Sequence, residues 1–85
     1  MSYDPKKRDS SWHMVQPGCY IDPAGLAHLF PDEIVAYLAV THPQAGFDVN
    51  SKKDYDLVVE IFLDMLRRID PKLSTRYIRH DREQN

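Results

Sequence analysis

Apolar residues in this chain follow a helical period in one segment, form an unbroken run in a second and are broken by turn residues in a third. From residue 51 to 69 the period is helical. Tyr55, Val58, Phe62, Leu66 and Ile69 fall on one stripe, widened by Val59 and Met65, and Asp56, Glu60, Asp64 and Arg67 fall on the opposite one. Ser51 is placed to cap this segment, with Asp54 three residues on as in a capping box. Asp64 and Arg68 are spaced as an i,i+4 pair, and Asp70-Pro71 ends the run. The pattern predicts a helix over residues 51–69 with its stripe in the core.

The unbroken run is residues 34–40, IVAYLAV. Pro31 suits a first helical position, Asp32 and Glu33 sit at the positive end of the helix dipole, and Pro43 prevents continuation, so a helix is predicted over about residues 31–41. Its apolar positions go all the way round. Ile34, Tyr37, Leu38 and Thr41 share one side, with Ile34 and Leu38 assigned to the core; Val35, Ala36, Ala39 and Val40 occupy the other.

The third segment, CYIDPAGLAHLF, is read as a β-hairpin over about residues 19–30. Asp22-Pro23-Ala24-Gly25 has the residues of a type I turn followed by a left-handed glycine, a common hairpin connection. A short helix competes for these residues, but Gly25 lies inside it and Phe30 precedes Pro31, which disfavours helical backbone there. Trp12 to Val15 would add a strand upstream, although the intervening Pro17-Gly18 suits a type II turn, which matches hairpin twist less well. Residues 73–80 divide between a helix capped by Asp70-Pro71 and a strand favoured by Thr75, Tyr77 and Ile78. A strand here would stabilise a hairpin that is marginal alone. The reading is therefore hairpin, helix, helix, strand: a small two-layer α+β domain with both helices on one sheet face, the alternative being an all-α bundle.

Eighty-five residues suffice for one modest core, assigned to residues 11–80 between tails at 1–10 and 81–85 that are expected to be mobile. The net charge of -2 argues against a polybasic nucleic-acid or membrane binder. No apolar run approaches the roughly 18–20 residues of a membrane span, and none follows Lys6, Lys7 and Arg8 as a signal peptide would require. The single cysteine, Cys19, excludes an internal disulfide and fits a reducing compartment. The expectation is a cytoplasmic domain.

Candidate chemistry is sparse. His13, His28 and His42 share one half of the chain with Cys19, but none of the close pairs typical of structural zinc sites is present, so no metal site is assigned. Cys19 and His28 would lie on paired strands, yet a thin core leaves little enclosed volume for a nucleophile and its base. The paired carboxylates read as the solvated stripe of the second helix, and the three glycines are too scattered for a phosphate loop. Neither an enzyme nor a cofactor protein is expected.

Two binding readings follow. Residues 20–64 carry eight acidic groups against Lys52 and Lys53, a balance of -6, while residues 65–85 carry six basic groups against three acidic ones, a balance of +3. Tyr20, His28, Arg76, Tyr77 and Arg79 on an open sheet face would suit single-stranded nucleic acid, which stacks on aromatics and arginines. The favoured reading is a non-catalytic protein-interaction or regulatory module. A helix apolar all round needs cover on every side, and Val35, Ala36, Ala39 and Val40 are assigned as the contact surface for a protein partner, a second copy of the chain included.

Overall fold

The computed structural model describes residues 11–81, so the expected tails lie outside the described residues except for Asp81. Strand β1 (His13–Gln16) leads through Pro17 and Gly18 into β2 (Cys19–Ile21). The two strands pair antiparallel, with a register shift between Met14 and Gln16. That bulge lies next to a Pro-Gly turn, where extra twist compensates for a turn poorly matched to a hairpin. The second hairpin joins β2 to β3 (Ala27–Leu29) across the expected turn. Gly25 has φ +85°, and its N–H donates to the Asp22 carbonyl at 2.9 Å.

Helix α1 (Pro31–Thr41) begins where β3 ends, a 3₁₀ turn (Pro43–Ala45) follows, and α2 (Lys52–Ile69) is the longest element. The Ser51 side chain accepts from the Asp54 N–H, one half of the expected capping box; the Asp54 carboxylate accepts from the Asp48 N–H, and the Ser51 N–H goes to the Asp48 carbonyl. Asp70 then caps a short helix, α3 (Pro71–Thr75), and β4 (Tyr77–Arg79) closes the sheet. The predicted strand over residues 73–80 is thus shorter than expected. Asp70 accepts from the Lys72 N–H and Pro71 presets the first helical φ, so helix capping wins up to Thr75 and β propensity wins only after it.

The sheet runs β1-β2-β3-β4, with β3 and β4 parallel: Ala27 pairs Tyr77, His28 pairs Ile78 and Leu29 pairs Arg79. One sheet face carries Cys19, Ala27 and Leu29 into a core completed by Ile34 and Val35 of α1, Val58, Val59, Phe62 and Leu66 of α2, and Leu73 of α3. This is the two-layer α+β arrangement. Two assignments within it are corrected. Val35 is fully buried, whereas Tyr37 is 39% exposed and Thr41 is exposed. The core side of α1 is centred between Ile34, Val35 and Leu38, because the helix lies against α2 as well as the sheet. Ile69, expected in the core stripe, is 60% exposed; α3 turns back at Asp70 and supplies Leu73 to the core instead.

Gly18 is where the sheet and α1 meet. It has φ +89°, and a Cβ there would stand 2.5 Å from Ile34 Cγ1, 2.9 Å from the Ile34 backbone nitrogen and 3.1 Å from the Phe30 carbonyl oxygen. The Gly18 carbonyl accepts from the Phe30 N–H at 2.8 Å, and the Phe30 carbonyl accepts from Ile34 at 3.0 Å, starting the helix. Gly18→Ala is expected to destabilise the domain by roughly 3 kcal/mol or more, from backbone strain and overpacking together. Gly25→Ala, with nothing within 4 Å of its added Cβ, should cost only the conformational about 1–2 kcal/mol. Equal denaturation midpoints for the two variants would show that the close approach is not a constraint.

Candidate functional site

Among the described residues, the sheet face away from the helices gathers a group of aromatic and titratable side chains. Alternation on β2 and β3 puts Tyr20 and His28 there as a directly paired couple. Phe30, two residues beyond His28, and His80, two residues beyond Ile78, continue the same face. The rings form a connected stack. Trp12 lies on His28 with centroids 3.9 Å apart, His28 and His80 are 5.1 Å apart, and His80 stacks on Phe30 at 4.3 Å. Tyr20 meets Phe30 edge-on at 5.7 Å. Tyr20, His28 and Phe30 are buried, a second apolar cluster separate from the helix-side core.

His28 is the one polar side chain buried among the described residues, and both its ring nitrogens are engaged. Nε2 lies 2.9 Å from Asp22 Oδ2, and Nδ1 lies 2.8 Å from His80 Nε2. A carboxylate only accepts, so His28 Nε2 carries a hydrogen. Asp22 is held by the turn that it starts: its Oδ1 accepts from the Leu26 N–H at 2.9 Å, and its own N–H donates to the Leu26 carbonyl at 3.0 Å. The hydrogen bond from His28 lowers the Asp22 pKa, the Leu26 N–H lowers it further, and desolvation opposes both. The result is a line of groups, Asp22–His28–His80, running from the hairpin turn to the end of β4.

Cys19 takes no part in it. The thiol occupies the opposite face of β2, fully buried against the core, and desolvation pushes its pKa up to about 11. The adjacency of Cys19 and His28 suggested by the hairpin is therefore not realised, because neighbouring ladder positions point to opposite sides of the sheet.

The residues of the nucleic-acid reading are not brought together. Tyr20 and His28 share the aromatic face, but Tyr77 and Arg79 pair with Ala27 and Leu29 and so lie on the helix side. Burial works against the Arg79 charge, yet hydrogen bonds to Asp81 (2.7 Å) and Asp56 of α2 (2.6 Å) outweigh it and leave the pKa raised. Arg76 is exposed in the turn before β4. Of the partner residues, Val35 belongs to the core, Ala39 is half-buried, and Ala36 and Val40 are exposed, Val40 at 80%. Sequence reasoning missed His80, whose partner lies 52 residues away, and Asp22 as anything but a turn former.

Two measurements check this geometry. Asp22→Asn should lower the melting temperature at neutral pH, since the native carboxylate holds two donors. Its lowered pKa means that this contribution is present above about pH 3.9, the ordinary Asp value, and is lost as pH falls through the native value. The gap between wild type and variant should accordingly close in acid; a gap independent of pH would show that the ionised form is not what stabilises. A thiol reagent at neutral pH should label Cys19 only as the chain unfolds, and immediate labelling of the native protein would contradict its burial.

No protein-family model matches the chain, and no curated protein or solved structure shows significant similarity to it.

Proposed function

We propose that this chain is a small non-catalytic protein-interaction module of the cytoplasm, and that the outer side of α1 associates with the same surface of a second copy. The observation that carries the reading is the exposed apolar ridge of Ala36, Tyr37 and Val40 on a helix with no charged residue from Ile34 to Thr41. Ala36 and Val40 are one turn apart, and Tyr37 lies beside them. An uncharged patch facing its own copy buries no unpaired charge and meets no like charge, which suits an isologous contact. The small side chains of Ala36 and Ala39 allow a second helix to approach closely. The patch is modest, so the complex belongs at or below the ~1,200 Å² end of specific interfaces and is weak. Cys19 is a free thiol buried in the core, which suits a reducing compartment. Among the described residues no helix is long and apolar enough to cross a membrane.

Sedimentation of the wild-type protein over roughly 10 μM to 1 mM should show mass rising with concentration toward a dimer, as expected for a weak complex. Val40→Glu should remain monomeric throughout with its melting curve unchanged within about 0.5 kcal/mol, because the position is a surface one. A wild-type chain monomeric across the series overturns the reading. Salt-dependent binding of a single-stranded oligonucleotide by that monomer would then favour the nucleic-acid alternative.

A further inference from the structure

The facing nitrogens of His28 and His80 impose a count of protons. At 2.8 Å, Nδ1 of His28 and Nε2 of His80 have one hydrogen between them, carried by either ring. With both rings neutral, His80 donates and His28 accepts, while His28 donates through Nε2 to Asp22. With one added proton the pair bears a single positive charge and the hydrogen bond survives, the charged ring donating. With two added protons both facing nitrogens carry hydrogens, and the contact is lost. The paired state thus accepts at most one added proton, whereas the separated rings accept two.

The pair spans the least local junction in the sheet. His28 lies at the centre of β3, and His80 directly follows β4, its N–H donating to the Leu29 carbonyl at 2.7 Å. β4 has only three residues, with Tyr77 and Ile78 both exposed, so few apolar contacts anchor it. We propose that His28 and His80 form a pH-sensitive latch, holding β4 on β3 while the two rings share a hydrogen and releasing it when each ring carries its own proton.

Asp22 and Tyr20 face His28 from the turn and from β2, and Trp12 and Phe30 cover the two rings with uncharged faces. Arg79 and Asp81, which flank His80 in sequence, are paired with each other, and Arg79 also binds Asp56 of α2, a contact that does not depend on the two rings. Asp22 stays ionised across the working range, so its hydrogen bond to His28 is retained while the His80 contact changes.

The sign follows from proton numbers. Where the second ring takes up its proton, the released state binds one proton more than the latched one, so docking of β4 weakens as pH falls and strengthens as it rises. One extra proton sets the ceiling: the opening constant of β4 should rise at most about tenfold for each unit by which pH is lowered.

Native-state hydrogen exchange on the full chain reads this directly, with the intrinsic pH dependence of exchange divided out. The His80 amide should lose protection between about pH 7 and pH 5, and nitrogen-15 spectra of the two rings should show the second protonation over the same interval. His80→Gln, whose amide can hold the hydrogen bond without titrating, should abolish the pH dependence. If that variant fails to fold, His28 and His80 ring spectra of the wild type decide. Rings that both become doubly protonated while the His80 amide stays protected overturn the latch, as does a protection factor flat with pH or a His80→Gln chain that keeps the full dependence.

Discussion

The close approach of Gly18 to the first turn of α1 is the constraint on which the rest of the architecture depends. No side chain fits between the β1–β2 turn and the Ile34 backbone, so the helix sits directly on the start of β2. The Gly18 carbonyl also takes the Phe30 N–H, which fixes the residue from which α1 grows. Placed there, α1 points Ile34 and Val35 into the junction of sheet and α2. The same placement turns Ala36, Tyr37 and Val40 outward. The ridge on which the functional reading rests is a consequence of where this one glycine lets the helix lie.

The sheet divides the chain's chemistry between two environments. On the helix side the fully buried residues are apolar, and the thiol of Cys19 is kept neutral by desolvation. On the other side polar atoms are buried too, but each ring nitrogen of His28 has a partner, which removes the cost of desolvating it. Asp22 serves both the turn and the site. One carboxylate oxygen closes the turn through Leu26 and the other orients His28, so a residue needed for local geometry also fixes the imidazole tautomer.

What was legible in the sequence was local. The Asp22 to Gly25 turn, the Ser51 cap with Asp54, and the start of α1 at Pro31 are each set by a few neighbouring residues, and the structure has all three. The outward side of α1 was not legible, because a helix apolar all round has no moment to orient it; only its contact with two layers decides that Val35 goes in and Tyr37 out. The side on which Tyr77 and Arg79 lie depends on register with β3, and a slip of one residue would invert it. His28 and His80 meet only because the parallel pairing brings distant segments together.

That parallel pairing also sets an order of events. The two hairpins and the junction with α1 involve residues near one another in the chain, so they can form early and quickly. The partner of β3 is separated from it by all three helices, and closing that loop carries an entropic cost repaid by only three paired residues. A ribosome extending this chain therefore holds a nascent domain whose most buried strand has one open edge until residues 77–79 emerge. Such an edge is a template for pairing with another chain. In the finished sheet β4 covers that edge of β3 and leaves β1 and β4 themselves as the outer strands.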